Sequence, residues 1–175
     1  MDSFAQENPY MFPIKPGQQN YLSGTMGELR GAHFHGGIDI KTGGATGLKI
    51  YAAADGYISR IKVDGGGYGN ALYIAHPQLG TTTVYGHLKK FNKEISEFVL
   101  NEQYKRKRFA IDLYPENDQF QVKKGDIMAF SGNSGGSAGP HLHFEIRDQY
   151  QRPTNPLNNQ IAEIRDNISP TVQKI

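Results

Sequence analysis

The stretch "GPHLHFEI", residues 139–146, alternates polar and apolar side chains from His141 to Ile146. In an extended chain successive side chains point to opposite faces, so His141, His143 and Glu145 share one side and Leu142, Phe144 and Ile146 the other. The pattern predicts a strand with its apolar row in a core and its polar row along a solvated face or a cleft. Such a row suits a half-buried strand in water, a metal, or a pair of proton-transfer groups. The rest of the chain has to decide among them.

Working outward, the same kind of strand recurs. "KIYAAADGYISRIKV" reads as two strands about a turn near Asp55 and Gly56. "ALYIAHP" and "TTTVYGHL" follow, separated by a turn at Gln78, Leu79 and Gly80, and "QVKKGDIMAFSG" precedes the opening stretch. With 21 glycines and short apolar runs, the chain reads as strands joined by tight turns, a mostly β domain with antiparallel pairing. One segment departs from this. "NKEISEFVLNEQYKRKR", residues 92–108, is charged and carries Ile95, Phe98 and Val99 at helical spacing, with acids early and bases late. It predicts a helix inserted between strands, a solvated cover for a sheet edge in one reading and a lid over a site in the other.

The length of 175 residues suits one domain with a genuine core. A net charge of +2 is far from the dense positive stripe of a nucleic-acid binder, and no apolar run approaches a membrane span. The chain has no cysteine, which excludes disulfides and thiolate metal sites. The first residues, "MDSFAQENPYMFP", lack the apolar core of a leader. They fit a cytosolic protein, or an exported one whose leader has been removed.

Six histidines are present, and four of them form two alternating pairs, His33 with His35 and His141 with His143. Asp39 lies four residues after His35, on the same face of a strand. Gly36 and Gly37 between them disfavour a helix and allow close backbone approach. His35, Asp39 and His143 together make two imidazoles and one carboxylate, the ligand count of a catalytic zinc with one position left for water. Spacing leaves open whether His33 joins His35, or His141 joins His143, as a ligand. The helical H-E-x-x-H arrangement of other zinc peptidases is absent.

Taken in order, "FHGGIDI", "VYGHL" and "SGNSGGSAGPHLHFEI" resemble the lysostaphin/LytM-type zinc metallopeptidases, which cut peptidoglycan. The resemblance runs from about Gly27 to Arg147. It implies a duplicated hybrid motif (barrel-sandwich hybrid) fold with a groove across an antiparallel sheet, to which the helix read above is an insertion longer than the family's usual hairpin. It implies Zn2+ as cofactor, His35, Asp39 and His143 as ligands, and His87 and His141 as unligated catalytic groups. The implied activity is hydrolysis of amide bonds in peptidoglycan stem peptides or cross-bridges, as a D,D-endopeptidase of the periplasm or cell envelope. A stem-peptide carboxypeptidase, a non-catalytic wall-binding or hydrolase-activating module, and a self-inhibited form with "NPYMFP" in the cleft are the rivals.

By the same motifs the chain divides into an N-terminal segment (1–26), the metallopeptidase domain (27–157) and a C-terminal tail or linker (158–175). Residues 92–121 resemble an insertion of envelope enzymes in Bacteroidetes-like bacteria. Around the site, Glu145 is a candidate acceptor orienting an imidazole, and Tyr85 shares the face of His87 by strand alternation. Arg30 is a candidate support for the loop entering the site, His33 a neighbour of it and His76 a turn residue. "GNSGGSAGP" lacks the lysine and helix of a phosphate cradle.

Overall fold

The computed structural model describes residues 8–31, 33–159 and 163–164. In chain order the first strands are β1 (Leu22–Gly24), β2 (Leu29–Arg30), β3 (His33–Phe34) and β4 (Ile38–Lys41). Next come β5 (Lys49–Tyr51), β6 (Gly56–Val63), β7 (Asn70–His76), β8 (Thr81–Leu88) and β9 (Lys90–Phe91). Helix α1 (Lys93–Arg106) leads to β10 (Ile111–Leu113), β11 (Gln121–Val122), β12 (Ile127–Phe130), β13 (His141–Arg147) and β14 (Pro153–Thr154). A single 3-10 turn, Pro156–Asn159, follows.

The main sheet is antiparallel, ordered β1-β4-β13-β8-β7-β6-β10, with β11 added to β6 and β14 to β13. A three-stranded sheet, β5-β12-β9, packs beside it, and β2 and β3 form a short ribbon at the rim. The mostly β, antiparallel architecture with one inserted helix is therefore the observed one. The strands flanking the Asp55–Gly56 turn, β5 and β6, belong to different sheets rather than to one hairpin.

Apolar residues at alternate positions of β4 and β13, Ile58 and Ile61 of β6 across a register shift, and Tyr85 of β8 build the core, with Ile38, Ile40, Ile58, Ile61, Tyr85, Leu142, Phe144 and Ile146 almost fully buried. Tyr85 is a core residue. Its hydroxyl accepts from the Ala53 N–H and is bonded to Thr83. Helix α1 starts at Asn92, whose side chain accepts the Ile95 N–H, and ends at Lys107 in a left-handed conformation. Ile95 and Val99 enter the core, Phe98 packs edge-on against Phe120, and the helix covers the β9 edge. No α1 residue lines the groove, so the helix is a cover and not a lid.

The boundary expected at residue 27 falls inside the folded unit. Tyr10, Phe12 and Ile14 are core residues, and β1 pairs with β4. "NPYMFP" therefore lies in the core side of the fold, with the Met11 N–H bonded to Ala53 O, and not in the cleft. Motif similarity marks where chemistry begins, whereas burial marks where folding does. Of the tail, Glu163 and Ile164 meet Asn20, and residues 165–175 lie outside the described residues.

Candidate metal centre

Strand register assembles the site. In the β4–β13 ladder Asp39 stands opposite His143, and in the β13–β8 ladder His143 stands opposite Gly86. Directly opposed residues put their side chains on the same face. Gly37 makes the approach possible, since a Cβ there would sit 2.2 Å from the Phe144 carbonyl oxygen. His35 reaches the site from just before β4. Its own N–H is held by Glu28 O and its carbonyl accepts from Gly27.

His87 arrives by a different route. Alternation along β8 sends Tyr85 into the core and would send His87 after it. A backbone φ of 58° at His87 turns its side chain into the groove instead. The expectation that Tyr85 and His87 share a face is thus corrected by a left-handed residue at the strand end. The groove so formed has a volume of about 850 Å³, with His33, His35, Asp39, His87, His141 and His143 in its wall.

The hydrogen bonds fix the protons. His35 Nδ1 lies 2.8 Å from Thr25 O, His87 Nδ1 2.8 Å from Ser134 O, and His141 Nδ1 2.8 Å from Gly139 O. A carbonyl only accepts, so each of these nitrogens carries its ring's proton and each Nε2 is bare in the neutral ring. His143 is reversed, because its Nε2 donates to Glu145 Oε1 at 2.8 Å, which leaves Nδ1 bare.

His35 Nε2, His143 Nδ1 and Asp39 Oδ1 then form a triangle with 3.0 Å edges, three lone-pair atoms with no proton of the neutral rings between them. These are the atoms that the sequence pattern brought together as two imidazoles and a carboxylate, and all three residues are buried. Without a cation the cluster is repulsive. A tetrahedral shell with bonds of about 2.0 Å has edges of about 3.3 Å, so the donor set fits zinc in both chemistry and size. His141 Nε2 stands 3.4 Å from the same carboxylate oxygen, and its ring centroid is 4.7 Å from that of His87.

The electrostatics favour positive charge at this point. Burial opposes an ionised Asp39, but an added proton on His141, His143 or His35, standing where a cation would, outweighs it and holds the carboxyl far below the usual range. Burial likewise opposes charge on His143, and Asp39 and Glu145 outweigh it. Burial dominates at His87 and pushes it down to about 4, so its Nε2 is bare at neutral pH. Arg30 binds the outer oxygen of Asp39, Nη2 to Oδ2 at 2.9 Å, and also Glu28, which leaves Oδ1 for the inner position.

Glu145 is fully buried and satisfied three ways. Its Oε1 accepts from His143 and from the Tyr68 hydroxyl, and its Oε2 accepts from Arg147 at 2.6 Å. Despite burial, the bonds from His143 and Arg147 keep it at about 2. Tyr68 also stacks on the His143 ring, with centroids 4.9 Å apart. Sequence reasoning missed Tyr68, Ser134 and Thr25. The flanking glycines of "GGGYGN" were the one available signal for the tyrosine. The other two act through main-chain carbonyls, which no pattern of side chains reveals. The loop "GNSGGSAGP" braces the site, with Ser134 accepting from Asn70 N and Gly136 bonded to Gly67. His33 is an exposed neighbour of the site, and His76 is buried at the end of β7, bonded to Asp55 O and Thr83, away from the groove.

A model of peptidase family M23 matches residues 33–104 and 114–156. The chain belongs to peptidase family M23. Zinc is the metal of this family, in keeping with the donor set above. Over 124 residues the chain is 35% identical to the DD-carboxypeptidase/endopeptidase Mpg of Neisseria meningitidis, which covers 71% of this chain and 22% of that protein. Over 129 residues it is 28% identical to the glycyl-glycine endopeptidase ALE-1 of Staphylococcus capitis, covering 74% of this chain and 27% of that one. The chain therefore spans about a quarter of the length of these curated relatives. Its fold is similar to that of lysostaphin from Staphylococcus simulans, with a TM-score of 0.62 at 19% identity over 94% of this chain and 59% of that structure.

Proposed function

We propose that this M23 domain is a zinc-dependent peptidoglycan hydrolase that cleaves amide bonds in stem peptides or cross-bridges, as a D,D-endopeptidase. The observation that carries the reading is the division of proton states in the groove. Three bare atoms converge on one point, and two further imidazoles present bare Nε2 atoms beside it. His35 Nε2, Asp39 Oδ1 and His143 Nδ1 would hold the ion. Zinc so held supplies Lewis-acid activation of water and of the scissile carbonyl.

The remaining work belongs to the chain. His141 Nε2, close to the ligating oxygen, accepts a proton at the reacting centre and can return it to the leaving amine. His87 presents a second bare Nε2 across from it, and its low proton affinity keeps it an acceptor at neutral pH. A neutral His87 has no N–H free to stabilise an oxyanion, because its single proton is given to Ser134 O. Glu145 and Tyr68 hold the His143 ring in place.

Removal of a terminal residue from the stem peptide is the second reading, favoured by the paired activity in the name of the Neisseria relative. Such substrates imply a place in the periplasm or cell envelope. Purified peptidoglycan digested with and without zinc, with fragments resolved by mass, tests both. Loss of cross-linked dimers is the expected result, and release of single terminal residues would select the carboxypeptidase. A chain that binds zinc and releases nothing would leave a non-catalytic wall-binding or activating module.

A further inference from the structure

Away from the groove, the end of α1 carries a surface that the peptidase chemistry does not use. Lys105, Arg106, Lys107 and Arg108 are four successive cations, bracketed by Tyr104, 75% exposed, and Phe109, 74% exposed. Leu100, one helical turn before Tyr104, is 49% exposed, so the last turns of the helix present an apolar row. Glu102 is the neighbouring carboxylate and is shared between Lys105 and Arg106. Four cations against that one acid leave a net charge of +3 on residues 102–108.

The patch is built, not frayed. The Lys107 N–H bonds Gln103 and Tyr104 carbonyls in a left-handed cap, and Arg108 N bonds Gln103 O. The Gln103 side chain donates to Phe109 O at 2.6 Å, folding Phe109 back against the helix end. Folding does not need these side chains, since α1 enters the core through Ile95 and Val99. The match to the M23 family breaks at residues 105–113, so the four cations and Phe109 fall outside the segments the family model matches.

An exposed leucine or a run of charge is ordinary alone. Exposed aromatics flanking cations are what a bilayer interface selects, with ammonium and guanidinium groups at lipid phosphates and rings at the acyl boundary. A soluble polyanion would use the cations and leave the rings idle. From this combination we infer that residues 100–109 form a peripheral membrane-docking element for an anionic phospholipid surface. No residue of this element lines the groove.

Sedimentation of the whole chain with phosphatidylglycerol-containing vesicles, against pure phosphatidylcholine vesicles, tests this. Binding should favour the anionic vesicles at least tenfold and weaken with salt. A Lys107→Glu, Arg108→Glu double variant and a Tyr104→Ser, Phe109→Ser double variant should each lower it at least tenfold, with circular dichroism and melting unchanged. Absence of vesicle binding in the wild-type chain would overturn the inference. So would an aromatic variant that binds like wild type while heparin competes fully, because that outcome assigns the patch to a soluble polyanion.

Discussion

The carboxylate of Glu145 accepts the Nε2–H of His143 across 2.8 Å, and this single bond decides which nitrogen of His143 faces the metal position. Rotation of the ring, or the other tautomer, would aim a proton at Asp39. Replacing Glu145 by Gln removes the charge that Arg147, Tyr68 and His143 share. Zinc affinity should fall roughly 10- to 100-fold, the usual effect of losing an orienting group. Competition with a calibrated chelator measures it, and an unchanged affinity would show that the stacked Tyr68 suffices to hold the ring.

The proposed division between ligands and proton carriers predicts two classes of variant. Asp39→Ala and His143→Ala should lose the metal. His141→Ala should keep most of it and lose about 10²- to 10⁴-fold in turnover, the range of a general acid or base. Metal content of the purified variants, measured beside activity, separates the classes. If His141→Ala empties the site as fully as His143→Ala, the two residues are both ligands.

Gly37 has no room for a side chain. A Cβ would lie 2.2 Å from Phe144 O and 2.7 Å from Glu145 Cγ, both on the strand that carries His143. Gly37→Ala must separate β4 from β13 at the register pair that holds Asp39 against His143. The expected cost is about 2–4 kcal/mol, at the upper end of single substitutions. Thermal melting of the metal-free protein would reveal it, and a melt within a degree of wild type would show that the strands yield locally.

Acid should destabilise the fold through His87. Its folded value of about 4 lies below the ordinary 6.5, mainly because of burial. Above pH 6.5 the ring is neutral in both states and costs nothing. Between pH 6.5 and 4 the unfolded chain binds a proton that the fold refuses, so stability falls as pH falls, by roughly 3 kcal/mol at the lower end. Urea unfolding of zinc-free wild type and His87→Gln at pH 7 and 4 isolates this. A variant that loses stability as steeply as wild type would assign the acid sensitivity to other groups.

How far the sequence revealed this site depends on the kind of information each residue carries. His141, His143 and Glu145 were legible because a strand's period is 2 and β13 keeps it throughout. Asp39 was legible because its offset from His35 is even and the glycines between them announce close packing. His87 was not legible from alternation, since one left-handed residue at the end of β8 reverses its face, and only the motif resemblance found it. The extent of the folded unit was hidden too. Tyr10, Phe12 and Ile14 join the core from a segment with no chemical motif, because packing leaves no spacing rule across so many residues.

Three of the four imidazoles around the metal position fasten their protons to the main-chain oxygens of Thr25, Ser134 and Gly139. A side-chain partner vanishes with one codon, but a peptide carbonyl persists through every substitution. The proton arrangement of this groove is therefore buffered against drift in residue identity at those three positions and exposed to changes in loop length. Insertions or deletions beside them should silence the domain while leaving all five side chains proposed as ligands and catalytic groups in the gene.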